Sequence, residues 1–280
     1  MSEPCSTESP AGSERASMIR VGVFGAGGRM GSTVCAAVAG DPDLELVAAV
    51  DPYHAEIDLQ QLGVHGSGVQ VARAADALVA AGAEVAVDFT VADAARANLE
   101  WCADNGVHAV VGTTGFSDAD LAHFAERFAA SEANAVIAPN FAIGAVLMMR
   151  FAELAAPYFE TAEVIELHHD EKVDAPSGTA MLTVARMAEA SDLWGRDPTE
   201  RTVVEGARGG AGPGGIRVHS VRLRGLVAHQ EVLLGTTGQS LSIRHDSYDR
   251  SSFMPGVLLA IRAVREKPGL TVGLDALLDL

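Results

Sequence analysis

Lysine is nearly missing from this 280-residue chain: of its 20 basic residues only Lys172 and Lys267 are lysines, and the rest are arginines. Chance is one explanation for a retained lysine. Chemistry is the other, because an ammonium gives up its proton at accessible pH and a guanidinium does not. Cysteine is scarce as well. Cys5, Cys35 and Cys102 form an odd, scattered set without metal-ligand spacing, which argues against a secreted disulfide framework and fits a reducing cytoplasm. No apolar run approaches the roughly 18 residues of a membrane span; the longest, Phe141 to Met149, is short and contains a glycine. Positive charge is outweighed, 20 Lys and Arg against 37 Asp and Glu, for a net charge of −17. Such a field repels nucleic-acid phosphates and anionic membranes, so neither is an expected partner. It does not exclude a small anion, which a local pocket of donors can hold against the global field.

What is present is ample core material. With 48% hydrophobic and 20% charged residues the chain is globular, and at roughly 100 to 200 residues per domain it divides best into two. Residues 1–17 (MSEPCSTESPAGSERAS) are rich in Ser, Glu, Pro and Gly and lack the apolar centre of a signal peptide, so a disordered tail is expected.

Beyond the tail, IRVGVF at Ile19 to Phe24 reads as a strand, GAGGRMG at Gly25 to Gly31 as a turn, and the Ala-rich STVCAAVAG as a helix. A second apolar run, Leu44 to Val50, ends in Asp51 and completes a βαβ unit. Strand-like runs at Val85 to Phe89, Val107 to Val111 and Ala135 to Ala138 alternate with helical segments such as Ala92 to Asn105, which implies a Rossmann-like, doubly wound parallel sheet. After about residue 140 the pattern changes. A helix from Phe141 to Ala156 leads to the strand TAEVIELHH, a Pro-Ser-Gly turn and a helix from Thr179 to about Ala190. Then Ile216/Val218, Val232/Leu234 and Leu241/Ile243 alternate with polar neighbours, as in a mixed or antiparallel sheet with one buried face. Phe253 to Leu280 reads as helical and returns to the first domain. The expected organisation is a dinucleotide-binding domain at 18–140 and 250–280 with an α+β substrate and oligomerisation domain, 141–249, inserted into it.

The glycine turn is not a strict G-x-G-x-x-G, since Met30 takes the sixth place, but Gly25, Gly28 and Gly31 keep a three-residue spacing beside a helix N-terminus. Bare amides there, from Gly25, Ala26, Gly27, Gly28, Arg29 and Met30, suit a pyrophosphate, with Arg29 as a further phosphate contact. Asp51 is placed to accept the adenosine ribose hydroxyls. It would repel a 2′-phosphate, and Pro52 and Tyr53 follow where a compensating Arg would stand, so NADH is slightly favoured over NADPH or both are used. GTTG (Gly112, Thr113, Thr114) and APNF (Ala138, Pro139, Asn140, Phe141) sit at two further strand ends, where an open α/β sheet places the nicotinamide ribose; either is also readable as an ordinary turn.

The densest polar chemistry lies in HHDEKVDAPSGTA. His168, His169, Asp170, Glu171, Lys172 and Asp174 crowd the end of an apolar strand, just before Ser177 opens a helix. Ser177 is a good N-cap, and the amides of Gly178 and Thr179 at a positive helix end suit a carboxylate. His168 moves a proton near neutral pH and Lys172 supplies charge or a proton. A solvated charged loop is the plain alternative. Metal is not expected, because His168 and His169 point to opposite faces of a strand. His219, His229 and His245 read as structural.

Together these segments resemble the 4-hydroxy-tetrahydrodipicolinate (dihydrodipicolinate) reductases of bacterial lysine and diaminopimelate synthesis. The resemblance rests on GAGGRMG, AVDFT, VGTTG, APNFAIGAVLM and ELHHDEKVDAPSGTA, and GLVAHQEVLLGT and LSIRHDSYDRSSFMPGVLLAIR look like the actinobacterial branch. It implies that His168 donates or accepts a proton, that Lys172 donates one, and that His169, Gly178 and Thr179 bind a small dicarboxylate. It further implies a cytoplasmic homotetramer that reduces 4-hydroxy-tetrahydrodipicolinate to tetrahydrodipicolinate with NADH or NADPH. Asp170 and Glu171 replace basic or neutral residues common in the family, from which a raised His168 pKa is expected. A nucleotide sensor without turnover, and a different two-domain dehydrogenase, remain the alternatives of other classes. The glycine-rich segment Gly206 to Gly215 reads as a mobile cover or as a plain hairpin connection.

Overall fold

A computed structural model describes residues 18–278; the tail expected at 1–17 lies outside the described residues. The first layer system is built from β1 (Ile19–Phe24), α1 (Arg29–Ala39), β2 (Leu44–Val50), β3 (Val71–Ala72), α2 (Asp76–Ala80), β4 (Val85–Asp88), α3 (Ala92–Asn105), β5 (His108–Val111), α4 (Asp118–Ala129) and β6 (Ala135–Ile137). Their strand runs are almost wholly apolar because both faces are covered. Val21, Val23, Val87 and Val110 face Val34 and Val38 of α1, while Phe24, Ala86 and Val111 face Leu99 of α3 and Phe124 and Phe128 of α4.

After these come α5 (Ile143–Ala155), β7 (Thr161–His168), α6 (Gly178–Ala190), β8 (Gly210–Ala211), β9 (Arg217–Arg222), β10 (Ala228–Thr236), β11 (Gln239–Ser247), α7 (Met254–Ala263) and β12 (Leu270–Val272). The first sheet runs β12-β6-β5-β4-β1-β2-β3, all parallel, so the order reverses direction between β1 and β4. Ligands in such sheets bind at the strand ends beside that reversal. The second sheet runs β11-β10-β7-β9-β8, with β7 and β9 parallel and the other pairs antiparallel. It is therefore mixed. One of its faces, carrying Val164, Val218, Val232 and Leu234, packs on Val184 and Met187 of α6. Through Val146 and Met148 of α5 and Val257 and Ile261 of α7, that core is continuous with one side of the first sheet.

Two expectations need correction. The segment after Phe253 is not helical throughout: Gly269 and Gly273 take left-handed backbone around Leu270–Val272, which pairs with β6 and closes the first sheet's edge. Leu241 is 38% exposed, because β11 is an edge strand that few elements cover. Two further strands, Val71–Ala72 and Gly210–Ala211, are too short to show any alternating pattern in the sequence. The glycine-rich segment forms a hairpin onto β9, where a Cβ at Gly209 would lie 2.4 Å from the Val218 carbonyl oxygen.

Candidate active site

At the end of β1 the chain turns so tightly that the glycines are steric necessities. Gly25 takes φ +66°, and a Cβ at Gly31 would stand 2.0 Å from the Gly25 oxygen, so α1 starts directly against the turn. Gly28 is the N-cap of α1 and makes no side-chain capping bond. First-turn amides of a helix have no intrahelical acceptor, so they and the helix dipole suit an anion. Asp51 at the end of β2 is 5% exposed and accepts from the Gly27 N–H (3.0 Å) and the Tyr53 N–H (2.9 Å). His54, which the sequence reading passed over, lies 3.1 Å from Asp51 and fills the space over Gly27, where a Cβ would come 2.2 Å from His54 Nδ1. The expectation of bare amides throughout the turn is corrected: the Gly25 and Ala26 N–H donate to the Val50 carbonyl, Gly27 N–H to Asp51 and Gly28 N–H to the Gly25 carbonyl, because the tight turn satisfies its own donors. What fits a dinucleotide is the first turn of α1 from Arg29 on, with the Arg29 side chain, for phosphate, and a fixed carboxylate for ribose hydroxyls.

Asp88 at the end of β4 was also missed. It is buried and accepts from the Thr90 amide and hydroxyl (2.7 Å each), from Asn98 (2.7 Å) and from the Thr113 hydroxyl (3.4 Å). Thr113 therefore turns its hydroxyl inward, while Thr114 is exposed at the mouth. Gly112 must be glycine because Phe89 stacks where its Cβ would stand, 2.0 Å away, and Phe89 in turn packs on Phe141 at 5.5 Å. Of the residues expected to touch cofactor, Ala26, Ala138 and Phe141 are core. Asn140 bridges the halves: its Oδ1 accepts from the Ala142 amide (2.9 Å) and its Nδ2 donates to Thr179 Oγ1 (3.3 Å).

The second sheet presents its chemistry on the same cleft. A small pocket of about 50 Å³ is lined by Asn140, His168, Ser177, Thr179, His229 and His245, among others. Ser177 caps α6 as expected, its Oγ accepting from the Ala180 N–H at 3.2 Å. His168 and Glu166 share one face of β7, two residues apart. Glu166 is 0% exposed and accepts from His168 Nδ1 (2.6 Å), from both terminal nitrogens of Arg222 (2.8 Å each) and from the Ser177 amide (3.1 Å). Burial by itself raises the Glu166 pKa, but hydrogen bonds from Arg222, Ser220 and His168 bring it below the usual range, so it is a carboxylate. His169 is exposed and is not among the residues lining the pocket, and Lys172 donates to Asp174 at 2.7 and 2.9 Å. A larger cavity, about 430 Å³, lies between β7, β10 and the 194–217 segment and holds none of these groups.

The expected rise in the His168 pKa is overturned. Burial, the largest influence, pushes His168 below the usual imidazole range, and Lys172 and Arg222 add to the depression; only Glu166 pulls the other way. Asp170 has turned to Arg224 at 2.8 Å and faces solvent. His229 and His245, read from the sequence as structural, both reach the pocket wall. His229 is held by Asp246 at 2.7 Å, and alternation in β10 and β11 gave no sign that the two strand ends meet there.

The family described as "Dihydrodipicolinate reductase, N-terminus" matches residues 19–141, and its counterpart "Dihydrodipicolinate reductase, C-terminus" matches 144–278. The chain belongs to the dihydrodipicolinate reductase family. It is 54% identical over 266 residues to the 4-hydroxy-tetrahydrodipicolinate reductase of Nocardia farcinica, covering 94% of this chain and 99% of that one. Identity to the reductase of Mycolicibacterium vanbaalenii is 52% over 264 residues, 94% of this chain and all of the relative. A solved dipicolinate-bound dihydrodipicolinate reductase from Paenisporosarcina sp. TG-14 superimposes with a TM-score of 0.81 at 42% identity, covering 92% of this chain and 99% of that one. As a member of this reductase family the chain converts 4-hydroxy-tetrahydrodipicolinate to tetrahydrodipicolinate with NADH or NADPH, a step of lysine and diaminopimelate synthesis. Among the described residues no helix is long and apolar enough to cross a membrane.

Proposed function

We propose that the substrate's carboxylate docks on the first-turn amides of α6, at Gly178 and Thr179, with His168 as proton donor beside it and Lys172 as a second proton donor and positive charge at the rim. His169, exposed next to Lys172, contributes from the rim. The observation that carries this reading is the Ser177 cap: its hydroxyl is spent on Ala180, so the turn is held rigid while the two preceding amides stay open toward the cleft. The dipicolinate in the Paenisporosarcina relative is a planar dicarboxylate, the ligand class that this clamp takes.

The dinucleotide would lie on Gly25, Gly27, Gly28, Arg29, Met30, Asp51, Gly112, Thr114, Pro139 and Asn140, with Ala26, Thr113, Ala138 and Phe141 shaping the turns, and it supplies the hydride. NADH is favoured or shared with NADPH, on the strength of the Asp51 carboxylate and the lack of an adjacent arginine. The chain works in the cytoplasm. The unpaired Cys35 and Cys102 are in keeping with that, buried in the core, with burial pushing the Cys35 thiol up to about 12 and the Cys102 thiol up as well. Residues 18–140 and 250–280 form the nucleotide domain and 141–249 the inserted one. The inserted sheet's second face, with half-buried Ile165, Leu167 and Leu233, is covered by no helix in the described chain, and we assign it to a homotetramer interface.

The test is parallel consumption of NADH and NADPH with substrate generated in place from pyruvate and aspartate semialdehyde by the preceding synthase. Synthase-dependent consumption that collapses in Lys172→Ala and His168→Ala is expected. Full activity of either variant removes that residue from the mechanism.

A further inference from the structure

The His168 side chain is held from below by a group that no part of the reaction itself requires. Glu166 is fully buried, yet it is charged and has four hydrogen-bond donors converging on it: Arg222 through two nitrogens, the Ser177 amide, and His168 Nδ1. A buried ion pair of this kind is weak as a source of stability, since the desolvation of both charges offsets their attraction. Its partners are more telling than its strength. One is the proton-donating imidazole. Another is the cap of the helix that forms the carboxylate clamp. Arg222 itself also donates to the Asp174 carbonyl at 2.6 Å, in the loop that carries Lys172.

Resting on the assignment of His168 as proton donor, we propose that Glu166 is a positioning residue: it fixes the His168 tautomer and orientation, and its pairing with Arg222 and Ser177 ties the acid, the carboxylate clamp and the lysine loop into one unit. A carboxylate only accepts, so Nδ1 must carry a proton and Nε2 is turned outward. In the neutral ring Nε2 is then a bare acceptor; in the imidazolium it holds the proton to be delivered. When that proton leaves for substrate, His168 returns to the neutral Nδ1–H form and takes a replacement from water at Nε2. Glu166 neither gains nor loses a proton in the cycle. This division of labour is the one general acid–base sites use when a carboxylate holds a histidine.

The charges around His168 make the effect readable in pH. On its own strand there is Glu166. From β9 comes Arg222, from the following loop Lys172, paired with Asp174, and next to it the exposed His169. From α6 come only neutral donors, and from β10 and β11, across the pocket, His229 and His245. Among the described residues Glu166 is thus the one anion in direct contact with the ring. In Glu166→Gln, the amide keeps a carbonyl for Ser177 or Arg222 but presents NH₂ to Nδ1, which moves the ring proton to Nε2 and removes the charge that favours imidazolium.

The experiment compares Glu166→Gln, Glu166→Asp, His168→Ala and the Glu166→Gln/His168→Ala double variant in the full-length enzyme. Expected for Glu166→Gln is a loss of kcat of about 100-fold, within the range that a positioned acid contributes, with KM changed by less than about threefold. The limb of the kcat profile set by His168 should shift to lower pH by about one unit. Selective ¹⁵N-histidine NMR should show the neutral tautomer switch from Nδ1–H to Nε2–H, and Glu166→Asp should recover part of kcat. In the His168→Ala background the Gln substitution should cost almost nothing more. If it costs the same factor there, or if tautomer and pH profile are unmoved, Glu166 is merely structural and the proposal fails while the His168 assignment stands. If His168→Ala is fully active, the assignment itself fails.

Discussion

Removing one hydroxyl, in Ser177→Ala, tests whether the carboxylate clamp is built as the geometry indicates. Ser177 is 4% exposed and Ala180 is 0% exposed, so the Ala180 N–H loses its 3.2 Å acceptor at a place where water does not replace it. Loss of a helix N-cap costs about 0.5 to 2 kcal/mol, and burial puts this one near the upper end, at about 2 kcal/mol. For a chain of this size, roughly 2 to 4 °C per kcal/mol, that is a fall in Tm of about 4 to 8 °C. The same hydroxyl keeps the first turn of α6 from fraying, so the open amides of Gly178 and Thr179 lose their fixed direction. Dipicolinate binding, measured by calorimetry, should weaken by about tenfold, or about 1.4 kcal/mol. Ser177→Asn, which keeps a capping acceptor, should recover most of the Tm. The reasoning is refuted if Ser177→Ala keeps both the parental Tm and the parental dipicolinate Kd, or if Tm falls while Kd is unmoved.

The nucleotide end makes its own prediction. Gly27→Ala should raise the Kd for NADH at least tenfold, read by fluorescence titration, because the new Cβ would fall 2.2 Å from His54 Nδ1 and 2.8 Å from its Cβ, so the whole 51–54 turn must shift; unchanged binding would show that the turn is not the nucleotide site. Stability should fall on acidification below about pH 6.5. Burial holds His108, His168 and His245 below the usual imidazole range, so the unfolded chain takes up protons first, and the stability linked to these rings is full while they are neutral and declines as the unfolded histidines protonate. Urea midpoints that rise between pH 7 and pH 6 would contradict this sign.

Most of the nucleotide half was legible because its physics is local. A parallel strand covered on both faces must be a continuous apolar run, and Ile19–Phe24 and Leu44–Val50 emerge with the bounds that their composition implied. The cap at Ser177 was equally readable, since a capping serine needs only its own next three residues. What stayed hidden depended on partners distant in the chain. Arg222 reaches Glu166 across 56 positions, and nothing in ELHH announces that its glutamate is the buried one. The expectation about His168 failed for the same reason: Asp170 and Glu171 are neighbours in sequence, but β7 ends at His168, so strand alternation does not place them, and Asp170 pairs with Arg224, 54 positions away, while burial sets the direction for His168. The histidines at 229 and 245 became pocket walls only because β10 and β11 end beside α6. The cap, which a residue makes with its own next turn, was visible; even the short-range pairs Glu166–His168 and Asp51–His54 were not, because which of these carboxylates is buried is decided by distant parts of the chain.

The charge imbalance yields a last prediction with an unusual sign. A chain of net charge −17 has to capture a dianion. Beyond a screening length the field opposes approach, whereas inside the cleft the proposed clamp offers the α6 amides at contact distance, where salt hardly screens them. Raising ionic strength from about 0.01 M to about 0.15 M shortens the screening length from roughly 30 Å to roughly 8 Å. That weakens the distant repulsion and leaves the local contacts almost intact. Dipicolinate should therefore bind somewhat more tightly as salt rises, by about twofold, and associate faster, whereas a site that attracts anions through exposed surface cations would lose affinity. Stopped-flow association at both ionic strengths separates the cases. A rate constant that falls with salt would mean that surface arginines steer the ligand and that the buried clamp is not what overcomes the acidic field.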